Sequence, residues 1–281
     1  MSMTLRVVHT TTFEYDGKAV ASYNQARLTP QTTPGQIVSH SRVEVHPSPW
    51  LYEYRDYFGT TVTAFEVLDP HESMSVSGTS TVHTSRTPGA PPSIGWDDLE
   101  SREVADTWTE YLVVSPSVAP PDDLAARIAR LRQSAALPGE AAREICALVN
   151  REVEYQPGAT DVHTQAAEAW RQRAGVCQDM AHLVIGGLRS LGIPARYVSG
   201  YFHPQQDPVI GETVSGESHA WIEWWDEGWH AFDPTNDTEP GDRYVAVALG
   251  RDYGDVKPLS GIYSGAKTSS MAVEVTVTRL G

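Results

Sequence analysis

Residues 175–192, GVCQDMAHLVIGGLRSLG, decide how this chain is read. Ala181, Val184, Ile185 and Leu188 recur at helical spacing on the face that carries Cys177, so the stretch predicts a central helix with the thiol at its N-terminal end. Gly192 and Pro194 terminate it. The unpaired N–H groups and the dipole of a helix start favour an anion, and hence a thiolate, the form that attacks carbonyl carbon. The same N–H groups can receive an oxyanion. Gly175, just before the helix, permits close approach of a substrate.

A thiolate nucleophile needs a base and a residue that holds the base in the right tautomer. Both lie downstream in SHAWIEWWDEGWHAFDPT, residues 218–235. His219 opens one apparent strand, and Asp233 closes the next, fourteen residues later, after the turn WDEGW. Two antiparallel strands joined by that hairpin bring His219 and Asp233 side by side.

Outward from this centre the chain divides by periodicity. From Leu5 to about Ser85 the segments RVVHTTTFEY, SRVEV, TTVTAFEVL and SMSVSGTSTVHT are rich in Thr, Val, Tyr and Phe and predict an antiparallel β domain. Arg42 and Glu44 alternate with Val43 and Val45, one face for water and one for a core. TPGAPPS, residues 87–93, reads as an exposed linker. After Pro121, Leu124, Ile128 and Leu131 fall at helical spacing, and Gly139 to Val153 predicts a second helix whose apolar stripe gives Cys146 a structural place. TQAAEAWRQ suggests a short helix, ARYVSGYF a strand, and Val245 to Leu280 further strands. The expected division is a β domain over 1–90, a linker over 91–120 and a catalytic domain over 121–281.

Composition excludes several classes. With 21 basic and 36 acidic side chains the formal charge is -15, and no basic cluster exists to neutralise phosphates or an anionic lipid surface, so neither a nucleic-acid nor a membrane partner is expected. The N-terminus lacks the apolar core of a signal peptide, no stretch approaches a membrane span, and a cytoplasmic location is the expectation. Two cysteines make no disulfide framework. Without HExxH, paired cysteines or a phosphate-binding glycine loop, no metal and no cofactor is expected. Oligomeric state is not legible.

The segments AGVCQDMAHLVIGGLRSLGIPARYVSGY, SHAWIEWWDEGWHAFDPT and GRDYGDVKP resemble the transglutaminase-like superfamily, in particular its bacterial cysteine-protease-like branch. The early HTTTFEY, RLTP and DYFG resemble the β domain that precedes the core in those proteins. The resemblance implies an α+β fold: a papain-like core in which a cysteine-bearing helix packs on an antiparallel sheet. It also implies Cys177 as nucleophile, His219 as base and Asp233 as orienting residue. The implied function is amide chemistry through a thioester on a peptide or protein substrate, with hydrolysis favoured. Protein-glutamine gamma-glutamyl transfer, as cross-linking or deamidation, and a non-catalytic peptide-binding module are the alternatives. An arylamine acetyltransferase shares the triad but carries no such β domain before it.

Other residues carry local readings. Asp179 is expected to stabilise the helix start and His182 to pack or hydrogen-bond. Tyr155 and Trp170 are candidates for the cleft border or the oxyanion site. Of Trp221, Trp224, Trp225 and Trp229, at least two are expected in the core.

Overall fold

The β-branched run at the start of the chain forms one long strand, β1 (Met3–Ala26), in a computed structural model that describes residues 2–87, 89 and 91–281. Four strands follow: β2 (Gln36–His46), β3 (Leu51–Arg55), β4 (Thr61–Val67) and β5 (His71–Thr84). All pair antiparallel, β5 lying between β1 and β2, and β4 between β1 and β3. Val43 and Val45 point inward while Arg42 and Glu44 face water, as the alternation requires.

Pro88 and Ala90 of the expected linker lie outside the described residues. Beyond them, residues 91–120 are not a free connector. Short helices α1 (Trp96–Leu99) and α2 (Arg102–Thr107) form, and Ile94, Leu99 and Val118 are buried in the main core. Asp226 fastens the segment by accepting the N–H groups of Ser93 and Ile94 at 3.0 and 2.8 Å.

The helical section then runs through α3 (Asp122–Ser134), α4 (Pro138–Glu152), β6 (Glu154–Tyr155), α5 (Ala166–Gln172), β7 (Ala174–Gly175) and α6 (Cys177–Ser190). Ile145, Leu148 and Val149 of α4 and Leu183, Val184, Ile185 and Leu188 of α6 form the centre of the core, together with Ala220, Ile222 and Trp224. Burying each large apolar side chain contributes roughly 2 kcal/mol. Cys146 is fully buried there, as its stripe predicts, and burial pushes its thiol well above the ordinary range. Gly186 lets α6 approach the Val118 carbonyl so closely that a β-carbon would collide with it. At the other end the helix stops at Gly192, whose φ of +78° suits glycine.

The second half of the sheet contains β8 (Ala195–Phe202), β9 (Thr213–Trp225), β10 (Trp229–Phe232) and β11 (Tyr244–Gly250). After the short α7 (Tyr253–Val256), β12 (Leu259–Gly265) and β13 (Thr268–Arg279) close the chain. These last strands cross the division expected at residue 121. β12 and β13 pair with β1, and β13 also pairs with β9, from Val275 opposite Gly216 to Thr278 opposite Thr213. The result is an α+β molecule with one continuous eleven-stranded sheet, whose central path is β11-β8-β9-β13-β1-β4-β3. The final strand joins the two halves because its alternating valines are buried on one face, Val275 and Val277, between β1 and β9.

Candidate active site

Cys177 is the first residue of α6, and its side chain is half-buried. The helix start is held by Asp179, whose Oδ2 accepts the Val176 N–H at 2.8 Å and the Thr160 hydroxyl at 2.6 Å. Asp179 therefore has the helix-end role expected of it. Its burial raises its pKa from the ordinary value. His182 is buried one turn further on, and its Nε2 accepts the Tyr253 N–H at 3.1 Å, so it positions α7 by hydrogen bonding and packing.

His219 comes from β9 and Asp233 from the end of the β9–β10 hairpin, where Phe232 still pairs with Ile222 before Asp233 leaves the ladder to bridge Thr238. His219 Nε2 and Asp233 Oδ2 are 2.6 Å apart. The other ring nitrogen, Nδ1, is not engaged by Asp233, and Cys177 lines the same cleft as the imidazole, near enough to act on its charge. The structure thus brings together all three residues singled out in the sequence.

Electrostatics around the pair follows from its partners. Burial opposes a charge on His219, but the hydrogen bond to Asp233 and the charges of Asp233 and Cys177 outweigh it and raise the pKa of the imidazole. Burial likewise opposes ionisation of Asp233, yet its donors hold the carboxyl below the ordinary range. Those donors are His219, the Asn236 amide at 2.7 Å and the Tyr244 hydroxyl at 2.7 Å, all on Oδ2, with the Thr235 N–H on Oδ1 at 2.9 Å. Asn150 braces the same loop by donating to the carbonyls of Pro234 and Thr235 at 2.9 and 3.1 Å.

Tyr244, Asn236 and Asn150 were not identified from the sequence. Asn236 had a usable signal, since it directly follows the DPT of the aspartate turn. Tyr244 and Asn150 had none, because each reaches the site from a separate element.

The thiol and imidazole line a cleft of about 370 Å³, bordered by Tyr155, Tyr197, Glu217, Tyr253 and Val273 among others. Tyr155 is in this border, but its hydroxyl donates to Glu217 Oε2 at 3.2 Å. Trp170 is not: it is 1 % exposed, and its indole N–H is bonded to Asp123 at 2.8 Å. Trp221 and Trp224 are buried and belong to core clusters, as expected for two of the four tryptophans. Trp225 and Trp229 instead pack with Trp108 nearer the surface. A separate hollow of about 790 Å³ beside Trp50 and Tyr52 contains none of this chemistry.

Comparison with known proteins agrees with the architecture. The Transglutaminase-like superfamily matches residues 122–234, and the Bacterial transglutaminase-like N-terminal region matches residues 5–83. An uncharacterized protein of Mycobacterium leprae is 44% identical over 279 residues, which is 98% of this chain and 99% of that protein. A solved structure named "putative cysteine protease", from Cytophaga hutchinsonii, superposes with a TM-score of 0.77 at 24% identity, covering 100% of this chain and 92% of its own. A shorter match, 36% over 72 residues, is to a protein-glutamine gamma-glutamyltransferase of Pseudomonas aeruginosa, covering 24% of this chain and 11% of that protein. Matched over both its helical core and its leading β region, this chain belongs to the transglutaminase-like superfamily.

Proposed function

We propose that the protein is a cysteine-nucleophile enzyme that cleaves amide bonds through a thioester. The observation that carries this reading is the placement of His219 between the Cys177 thiol and the buried Asp233 carboxylate, at one end of an open cleft. Cys177 attacks a peptide or carboxamide carbonyl, forming a C–S bond. The oxyanion faces the backbone N–H of Cys177 at the α6 start. His219 holds the thiol proton and delivers it to the departing nitrogen as the C–N bond breaks. Water then attacks the thioester while His219 takes its proton, the C–S bond breaks and the acid is released. Asp233 keeps His219 in the tautomer and orientation both steps need.

The test is the rate of Cys177 alkylation by iodoacetamide against pH, followed by intact mass, in the wild type and in His219→Ala. Buried Cys146 serves as the internal unreactive thiol. The expected result is rapid single alkylation at weakly acidic pH, below the free-cysteine pKa of about 8.5, lost in the variant. An unchanged profile in His219→Ala would sink the reading and leave a non-catalytic peptide-binding module in its place.

A second outcome for the same thioester, transfer to an amine, is supported by the 72-residue match to the Pseudomonas aeruginosa gamma-glutamyltransferase. Incorporation of a labelled primary amine into a glutamine peptide separates transfer from hydrolysis.

A further inference from the structure

Glu217 stands two residues before His219 on β9, so its side chain leaves the strand on the same side. Along a strand that spacing is about 7 Å. The side chain is exposed, yet it is tied across the cleft by the 3.2 Å hydrogen bond from Tyr155, which precedes the Cys177 helix in the chain. Tyr155 keeps its proton for this bond, because burial and the nearby Cys177 and Glu217 push its pKa up to about 12. Aside from Cys177 and His219, the described residues lining the cleft are apolar, amide, hydroxyl or phenol groups and this one carboxylate, with no lysine or arginine among them. With the proposed His219 imidazolium balanced by the Cys177 thiolate, Glu217 leaves the described cleft lining with a net negative charge, in a protein whose formal charge is already -15. The anchored carboxylate and the phenol oxygen together offer acceptors for a compact donor of several N–H bonds.

We infer that Glu217, held by Tyr155, forms a subsite for a primary ammonium group of the substrate, beside the reacting carbonyl in the same cleft. The ammonium is a recognition group and not the nitrogen that reacts. It belongs either to the acyl donor or to an incoming diamine or lysine-like acceptor. This inference rests on the thioester reading of the same site.

The test uses three alkylating probes of equal length: bromopropylammonium, neutral bromopropanol and anionic bromopropionate. Two unit charges about 4 Å apart in a water-like medium change a local concentration on the order of fivefold. In the wild type Cys177 should react faster with the cation than with the alcohol by at least that factor, relative to free cysteine, and slowest with the anion. Glu217→Gln should bring the cation-to-alcohol ratio close to that of free cysteine. Tyr155→Phe should lower it partway by releasing the carboxylate. A second arm acetylates Cys177 with p-nitrophenyl acetate and compares aminolysis by diaminobutane and butylamine. A Glu217-dependent preference in the first arm places the ammonium on the acyl donor, and in the second on the acceptor. Equal ratios in wild type and Glu217→Gln in both arms overturn the subsite. The pH profile of the bromopropanol rate in wild type and His219→Ala reports separately on the thioester reading, so the two failures are distinguishable.

Discussion

The Tyr244 hydroxyl donates at 2.7 Å to the same oxygen of Asp233 that His219 engages at 2.6 Å, so one fully buried carboxylate atom is shared by a phenol and the imidazole. The carboxylate stays ionised because such donors replace the water that burial removed.

Tyr244→Phe should weaken that arrangement while leaving the ring packed against Phe202 and Trp221. Losing a hydrogen bond to a charged group costs about 1.5–3 kcal/mol, so Cys177 alkylation should slow by roughly tenfold or more. The sign with pH is defined. Asp233 has a depressed pKa in the folded protein, so its contribution is present above the unfolded value of about 3.9 and lost as pH falls through the folded one. Removing a donor raises the folded value, and the acid limb of the alkylation profile should move to higher pH. A variant that is slower at every pH with an unshifted limb would make Tyr244 a packing residue only.

Arg189 tests the far end of the helix that carries the cysteine. It is 4 % exposed, and its guanidinium donates to the carbonyls of Ala195, Val113 and Arg251 at 2.7, 2.8 and 2.8 Å. A lysine cannot span three diverging acceptors, so Arg189→Lys leaves buried carbonyls unpaired at a cost of about 3 kcal/mol. Thermal denaturation should show Tm lowered by about 5 °C. A Tm within a degree or two of wild type would mean that water replaces the lost bonds.

Two buried histidines outside the site should make the fold acid-sensitive. Burial lowers both His9 and His182 to about 4, against about 6.5 when unfolded. The unfolded chain therefore binds protons that the folded chain excludes. Stability is full above pH 6.5 and is lost as pH falls toward 4, by on the order of 3 kcal/mol for each histidine. Urea midpoints measured from pH 7 to pH 5 should fall steadily, and His9→Gln should flatten part of that slope. If the slope is identical in wild type and variant, His9 becomes protonated without unfolding the chain.

Much of the helical core was legible because its information is local. The apolar positions of α4 and α6 repeat every three or four residues, and helix geometry alone turns that repeat into one buried face. The WDEGW turn similarly brought His219 and Asp233 into one hairpin, since a short turn leaves few ways for the flanking strands to pair. The boundaries were less legible. Residues 91–120 look like a connector by composition, yet Asp226 and the apolar Ile94, Leu99 and Val118 draw them onto the core.

By itself the sequence determined the cysteine at a helix start, the histidine and aspartate across a hairpin, and a leading antiparallel region, because periodicity and turn chemistry act over a few residues. Only the tertiary structure decided that β13 would lie between β1 and β9, that Tyr244 and Asn236 would complete the bonds of Asp233, and that Tyr155 would reach Glu217 over the cleft. β13, Tyr244 and Tyr155 join elements far apart in the chain, where many strands are equally able to pair and many side chains equally able to donate. Which ones meet is set by the burial of the valines on β13 and by the demand of a buried carboxylate for donors, and neither leaves a repeating mark in the sequence.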